Sequence, residues 1–187
     1  MGGPLPPVTL RLANSGDVLQ LAKLIELSVG VLQRQDYSEL QRAGALGTVF
    51  GVDTQLIADG TYYVAVLRVD GRELLAGSGG WSKRKTLFGS DHGPGRTMEL
   101  LDPTKEAAKI RAFFVHPDWA RRGIGTLILN ACEQAAREAG FSRFELGATL
   151  TGVPMYAARG YLEVERIAVP LNNGASLPVV RMAKTVR

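Results

Sequence analysis

The sequence predicts a single domain of the α/β or α+β class, with a mixed sheet and helices on both faces. Its 187 residues, 45% of them hydrophobic and 21% charged, suit one well-buried core. Segments that alternate with a period of two are interspersed with segments of helical period. Their order is β-α-α-β-β-β-α-β-α-β-β, which mixes hairpins with strands separated by helices. Neither an internal repeat nor a domain boundary interrupts residues 1–187.

The first third of the chain begins with a short alternating segment, Val8–Leu12, which predicts a strand. Ser15 is the expected N-cap of a helix that runs to about Val29 with one apolar face. The next segment is less regular around its glycines. It predicts two short helices, over Tyr37–Ala45 and Asp53–Ala58.

A hairpin and a long insertion follow. Tyr62–Val69 and Leu74–Trp81 alternate as strands on either side of Asp70-Gly71, a strong hairpin turn. Residues from 83 to about 107 are rich in glycine, proline and charge and lack apolar periodicity. A loop of this length inside a compact domain is usually functional or mobile.

The remaining elements have clear boundaries. Gly140 closes a helix, Pro154 marks the first turn of another, and Asn172-Asn173-Gly174 forms the turn of a last hairpin. In order, the predicted elements are strand Ile110–Val115, helix Ile124–Ala139, strand Arg143–Gly147, helix Val153–Ala158, and strands Tyr161–Val169 and Leu177–Met182.

Composition excludes several classes of site. With one cysteine, Cys132, and two histidines, His92 and His116, an internal disulfide and a cysteine- or histidine-rich metal site are excluded. Cys132 falls at an apolar helical position, which indicates a core residue. The net charge of +4 is mild, and its dense clusters, Lys83-Arg84-Lys85 and Arg121-Arg122, are not interleaved with aromatics. We therefore expect an anionic small molecule as the partner, with neither nucleic acid nor metal.

The N-terminus, MGGPLPPVTL, has neither the basic nor the long apolar region of a signal peptide. Pro6 stands where a myristoylation motif requires serine or threonine. Since no apolar stretch approaches about 20 residues, we expect a cytoplasmic protein without membrane contact.

Residues 113–129, FFVHPDWARRGIGTLIL, place arginines and glycines between a strand and a helix. The first N–H groups of a helix lack intrahelical partners and carry positive potential, and glycine lets an anion approach the backbone. The segment predicts a phosphate site. Ile128 excludes a dinucleotide fingerprint, and G-K-[ST] of a Walker A loop is absent. The alternative is a tight turn with solvated arginines.

This segment resembles the pyrophosphate loop [QR]-x-x-G-x-[GA] of the GCN5-related N-acetyltransferase (GNAT) superfamily. Arg121–Gly125 supplies x-x-G-x-G, while Ala120 departs from the Q/R position. PMYAARGY, residues 154–161, resembles the family's Y-x-x-x-G-[FY] ending. Across residues 110–161 the resemblance implies a GNAT-like, mostly antiparallel sheet of six to seven strands, with strands 4 and 5 splayed.

The resemblance implies an enzyme that uses acetyl-CoA as co-substrate and no metal. The pantetheine arm would lie beside the fourth strand and the pyrophosphate on the glycine-bearing loop. These expected cofactor-binding residues are Phe113, Phe114, Val115, Arg121, Arg122, Gly123, Ile124, Gly125 and Thr126.

Tyr156 matches the family's general acid, which protonates the leaving thiolate; the alternative is a packed core tyrosine. Family members often carry a glutamate or histidine base on the fourth strand, where this chain has Lys109 and Arg111. Glu99 and Asp102, in the preceding loop, are the nearest acidic candidates for a base. A water chain would require no single base.

The expected acceptor is a primary amine of a small molecule, attacked directly in a ternary complex, because the insertion can close a compact pocket. Tyr37, Trp81 and Phe88, together with Tyr62, are the aromatic candidates for that pocket. The alternatives are a peptide or protein amine as acceptor, a non-catalytic acyl-CoA sensor, and a nucleic-acid-binding protein. Whether the chain forms a homodimer stays open.

Overall fold

The computed structural model describes residues 7–186, which form one seven-stranded sheet and five α-helices. The strands are β1 (Thr9–Leu12), β2 (Tyr62–Val69), β3 (Arg72–Ser82), β4 (Ala108–Val115), β5 (Arg143–Thr149), β6 (Leu162–Pro170) and β7 (Ser176–Thr185). The helices are α1 (Val18–Leu32), α2 (Glu39–Ala45), α3 (Thr54–Ala58), α4 (Ile124–Glu138) and α5 (Val153–Ala157). Short 3-10 turns precede α1 and α4.

The sheet has the strand order β1-β2-β3-β4-β5-β7-β6. All neighbouring strands are antiparallel except β4 and β5, which run parallel. Those two strands pair only at Ala108 with Phe144 and Lys109 with Glu145, and then diverge. The predicted mixed, mostly antiparallel sheet with splayed strands 4 and 5 is confirmed.

Helices cover both faces of the sheet. α4 packs its apolar stripe, which includes Ile128 and Cys132, mainly against β3, where a Cβ on Gly79 would lie 2.8 Å from Ile128 Cγ2. On the opposite face, Val29 of α1 packs with Phe114 of β4. Burial raises the pKa of the Cys132 thiol, in agreement with its expected place in the core.

The start of α1 differs from the predicted Ser15 cap. Asn14 is the capping residue: its side-chain oxygen accepts a hydrogen bond from the Gly16 amide at 2.9 Å, and its own amide donates to Asp17 at 2.9 Å. Asp17 also receives both terminal nitrogens of Arg11, at 2.7 and 2.9 Å. The ion pair with β1 favours Asn14 over Ser15 because it fixes Asp17 as the reciprocal member of the capping box.

The β2–β3 hairpin turn lies where the sequence predicts it. Asp70 and Gly71 have φ values of 51° and 75°, the positive pair that a type I′ turn requires. β3 extends to Ser82, and the chain from 83 to 107 then crosses to β4 without a helix. Arg84 fastens the start of this insertion to Asp59, with 2.7 Å between Nε and Oδ2.

Residues 1–6, on which the signal-peptide expectation partly depends, lie outside the described residues. Among residues 7–186, no helix is long and apolar enough to cross a membrane.

Tyr37 joins three parts of the chain through one buried hydroxyl. The hydroxyl donates to the Pro178 carbonyl at 2.7 Å and accepts from the Leu150 amide at 2.9 Å. Burial raises the pKa of Tyr37 to about 12. The phenol therefore stays neutral and hydrogen-bonded over the ordinary pH range.

Replacement of Tyr37 by phenylalanine should leave both backbone partners unpaired and reduce the free energy of unfolding by about 1–3 kcal/mol. Urea denaturation measures the loss. Tyr63→Phe is the matched control, because Tyr63 is half-buried and its hydroxyl has no hydrogen-bond partner between residues 7 and 186. Equal stability of the two variants would contradict the bridging role of Tyr37.

Candidate active site

A cleft with a cavity volume of about 200 Å³ opens where β4 and β5 diverge. One wall comes from β4 and the start of α4, the other from β5 and α5, and the far end from α1, the loop before α3 and the insertion. Its lining residues are Ser28, Leu32, Gln33, Val49, Phe50, Gly51, Leu87, Phe88, Gly89, Ile110, Arg111, Ala112, Phe113, Phe114, Val115, Gly125, Gly147, Ala148, Thr149, Thr151, Gly152, Met155, Tyr156 and Val179.

A β-bulge in β4 shapes the middle of this cleft. Ala112 and Phe113 together lie opposite Gly79 of β3, and Ala112 has a φ of 58°. A left-handed conformation costs an L-residue about 1–2 kcal/mol. The bulge reverses the alternation, so Phe113 packs on the α4 face and Phe114 on the α1 face. Since alanine is not a typical bulge residue, the sequence does not predict this feature.

The turn after β4 leads to the exposed amides at the start of α4. Arg121 and Gly123 have φ values of 60° and 85°, and Gly123 is the N-cap of the helix. The first intrahelical bond runs from the Leu127 amide to the Gly123 carbonyl, at 2.9 Å. The amides from Ile124 to Thr126 precede that bond, so they have no carbonyl partner within the helix.

The two glycines of this turn have different roles. A Cβ on Gly123 would meet nothing within 4 Å, so the left-handed backbone is what requires glycine there. A Cβ on Gly125 would lie 2.7 Å from the Met155 sulfur. Gly125 therefore allows α5 to approach α4, in addition to lining the cleft.

Tyr156, on α5, lines the cleft and is 7% exposed. Its ring packs edge-on against Phe113, with 6.0 Å between ring centroids, and against Tyr161 at 5.7 Å. Within the described part of the chain, its hydroxyl has no hydrogen-bond partner. Burial raises the pKa of Tyr156 well above its usual value, so the phenol remains protonated.

Comparison with known proteins agrees with this geometry. Residues 98–186 match the family model described as Acetyltransferase (GNAT) domain. Over these residues the chain is similar to GNAT acetyltransferases, in agreement with the predicted family resemblance and the predicted enzyme class. Among curated proteins, none matches the chain in sequence.

Solved structures share the fold over nearly the whole chain. A GCN5-related N-acetyltransferase from Rhodopseudomonas palustris is 24% identical, with a TM-score of 0.69, covering 100% of this chain and 99% of the other. The PaiA N-acetyltransferase of Thermoplasma acidophilum, solved with coenzyme A, is 12% identical with a TM-score of 0.62, covering 96% and 99%. N-acetylglutamate synthase from Neisseria gonorrhoeae is 18% identical with a TM-score of 0.58, covering 98% of this chain and 36% of its own.

A buried ionic network lies beside the cleft. Asp53, 0% exposed, lies between Arg111 and Arg96, with 2.8 Å from its Oδ2 to Arg111 Nη2 and 2.9 Å from its Oδ1 to Arg96 Nη2. The Arg111 contact is an ion pair outside hydrogen-bond angles, because Oδ2 has no hydrogen-bond partner. Arg111 Nη2 also donates to the Gly89 carbonyl at 2.6 Å. Desolvation lowers the pKa of Arg111.

Lys109, the other β4 residue at a position where family members often carry a base, belongs to a second ionic cluster. Its ammonium lies 2.7 Å from Glu145 Oε2, and Arg181 Nη2 lies 2.8 Å from Glu145 Oε1. These hydrogen bonds and charges lower the pKa of Glu145 against the opposing effect of burial. Glu145 does not line the cleft, so the cluster braces the diverging strands at their last shared pair.

Both acidic candidates for a general base lie outside the cleft. Glu99 pairs with Lys85 on the insertion. Asp102 accepts hydrogen bonds from the amide and hydroxyl of Thr104, at 2.9 and 2.7 Å, which lowers the pKa of Asp102. Among residues 7–186, the cleft is lined by no Asp, Glu or His side chain. The structure therefore gives no geometric support to a base role for either.

Of the predicted pocket aromatics, Phe88 alone lines the cleft, among the described residues. It packs against Gly147, where a Cβ would lie 2.9 Å from Phe88 Cδ1. Trp81 instead packs on Phe141 in the core, with centroids 6.1 Å apart, and Tyr37 bridges backbone groups. Tyr62 is fully buried against Ser78. Their aromatic character alone could not distinguish core from pocket.

Residues 7–186 contain no group of three or more His, Cys, Asp or Glu side chains that could hold a metal ion. The polar groups that the cleft offers are backbone amides, Tyr156, Gln33, Arg111 and small hydroxyls.

Asp53→Asn should reduce the free energy of unfolding by about 3–5 kcal/mol, because it leaves the buried Arg111 without a counter-charge. Chemical denaturation measures the change. Glu163→Gln is the control: it breaks an exposed pair with Arg166 and should cost about 0–1 kcal/mol. A loss no larger than that of the control would contradict the structural role of the network.

Proposed function

We propose that this GNAT domain transfers the acetyl group of acetyl-CoA to a primary amine of a small molecule, by direct attack in a ternary complex. The observation that carries the proposal is one continuous cleft. It runs from Gly125 at the start of α4, along the diverging edge of β4, to Phe88 of the insertion. Donor and acceptor would enter it from opposite ends.

The donor end fits a pyrophosphate and a pantetheine arm. The amides from Ile124 to Thr126 would hold phosphate oxygens, and Arg121 and Arg122 add positive charge beside them. Arg122 lies 5.1 Å from the Trp119 ring centroid, which braces this side chain next to the loop. Beyond Lys109, the β5-facing edge of β4 has no strand partner. An amide-bearing arm can therefore hydrogen-bond there as an added strand through Phe113, Phe114 and Val115.

The reaction requires few groups of the protein. The amine nitrogen bonds to the thioester carbon, the carbon–sulfur bond breaks, and Tyr156 donates its proton to the leaving sulfur. A backbone N–H near Phe114 or Val115 would stabilise the developing oxyanion. The attacking nitrogen loses its extra proton to water, since no carboxylate or imidazole lines the cleft within residues 7–186.

The size and cover of the cleft favour a small acceptor. Leu87, Phe88 and Gly89 of the insertion close its far end, and the cavity volume is about 200 Å³. A protein lysine or N-terminus is the second candidate acceptor. A non-catalytic acyl-CoA sensor is the alternative that the absence of a side-chain base favours.

Release of free thiol from acetyl-CoA in the presence of an amine panel tests the activity. Amine-dependent release supports the enzyme. Tight acetyl-CoA binding in calorimetry without turnover would favour the sensor, and no binding would contradict both.

Tyr156→Phe should lower kcat by about 10²-fold or more, with the KM for acetyl-CoA changed only a few-fold, because it removes the acid and keeps the ring. Steady-state kinetics measure both constants. Tyr161→Phe is the control. The Tyr161 hydroxyl does not line the cleft and donates to Glu133 Oε1, at 2.9 Å. Unchanged kcat in Tyr156→Phe would contradict the acid role.

Gly123→Glu should abolish coenzyme A binding, because it adds a negative charge and backbone strain where phosphate would lie. Calorimetric titration measures the affinity. Gly174→Glu is the control. It imposes a similar left-handed strain in the β6–β7 turn, where φ is 82° and a Cβ would meet nothing within 4 Å. Wild-type affinity of a folded Gly123→Glu would refute the donor site.

A further inference from the structure

Two buried side chains at the far end of the cleft each have one polar atom without a hydrogen-bond partner. Gln33, 5% exposed, caps the C-terminus of α1, and its Oε1 has no hydrogen-bond partner in the described part of the chain. Arg111, also 5% exposed, has an orphaned Nε. Both line the same cleft. A buried polar atom without a partner costs about 1–3 kcal/mol, so two in one cavity indicate a ligand that satisfies them.

The two groups have complementary chemistry. The carboxamide oxygen of Gln33 accepts a hydrogen bond, and the Nε–H of Arg111 donates one. The surrounding acceptor end is apolar, with Leu32, Val49 and Phe88 among its walls. The ligand that fits is thus a small molecule with an N–H donor and an acceptor oxygen.

The charge of the cleft narrows the class further. Of the described residues that line it, Arg111 is the only charged one. Its partner Asp53 is already engaged by Arg96 and by the start of α3, where Oδ1 accepts from the Gln55 amide at 3.1 Å. A second ammonium group would therefore meet a guanidinium and no carboxylate. This arrangement disfavours acceptors with a second ammonium group, namely diamines, polyamines and free lysine.

We propose that Gln33 and Arg111 form the acceptor-binding site, and that the acceptor is a small primary amine bearing a carboxylate or carbonyl oxygen, as in an amino acid or its amide. The inference rests on the proposed acetyl transfer and specifies its substrate. Gln33 Oε1 receives an N–H of the attacking amine, and Arg111 Nε–H binds the oxygen. The positive charge of Arg111 also favours the neutral, nucleophilic form of the amine.

An acceptor panel tests the class on the full chain. Thiol release is measured with amino acids, amino acid amides, simple alkylamines and diamines of matched length. Amino acids or their amides should exceed alkylamines and diamines in kcat/KM by about 10- to 100-fold, the worth of a hydrogen bond to a charged group. The ratio of acid to amide distinguishes a carboxylate from a neutral carbonyl.

Two variants assign the preference to the two side chains. Gln33→Glu places a carboxylate beside the amine and should shift the kcat/KM ratio of diamine to amino acid by about tenfold or more in favour of the diamine. Gln20→Glu, the same change on the exposed side of α1, should leave that ratio unchanged.

Arg111→Lys retains a cation for Asp53 but removes Nε–H, so it should raise the KM for the acceptor and not that for acetyl-CoA. Arg84→Lys, in the Asp59 pair, is its control.

The outcomes separate this inference from the proposed function. Turnover that is best with diamines or simple alkylamines, or a Gln33→Glu ratio equal to that of the wild type, would overturn the acceptor site and leave acetyl transfer intact. A protein that neither binds acetyl-CoA nor releases thiol with any amine would overturn the function itself. Acetyl-CoA binding with no turnover on the whole panel would count against the acceptor class.

Discussion

The early divergence of β4 and β5 is the constraint on which the rest of the structure depends. The two parallel strands share only two residue pairs. Beyond those pairs, their facing backbone groups are too far apart to hydrogen-bond to each other. Buried backbone amides and carbonyls require partners, so this gap must be filled by water or by a ligand. The bulge at Ala112 turns Phe113 toward the α4 face and Phe114 toward Phe50, with 6.2 Å between those two ring centroids. Packing on both faces holds the strained alanine and keeps the gap open.

A buried ionic network lies beside this gap and holds the insertion in place there. Arg111 lies at the last regular position of β4 before the bulge and anchors the insertion through the Gly89 carbonyl and Asp53. Ionic groups taken from water are weak sources of stability, but removal of one partner is costly. The network thus fixes where the insertion, and with it Phe88, closes the cleft. As a result, the described part of the cleft is lined by the Arg111 guanidinium and by no carboxylate or imidazole that could act as a general base.

Local patterns predicted much of this fold and some of the residues that line the candidate site. The β2–β3 turn, the start of α4 and the position of Tyr156 depend on neighbouring residues, so the sequence is sufficient for them. The bulge, the Asp53 network and the burial of Trp81 depend on groups far apart in the chain; Arg96 and Asp53, for example, are 43 residues apart. From the sequence alone, Asp53 is an ordinary helix cap and Glu99 a solvated carboxylate. Only the folded structure shows that their partners are Arg96 and Arg111 for Asp53, and Lys85 for Glu99.

The two glycines at the start of α4 join the two halves of the proposed chemistry. Gly123 supplies the left-handed residue that exposes the first amides, while Gly125 leaves room for Met155 at a distance that a Cβ would not allow. Met155 precedes Tyr156 on a five-residue helix, so the position of that helix determines where the phenol lies. One short turn therefore exposes the amides and sets the Tyr156 phenol beside β4. Because both features depend on the same backbone, the donor site and the acid of the proposed reaction would keep a common geometry.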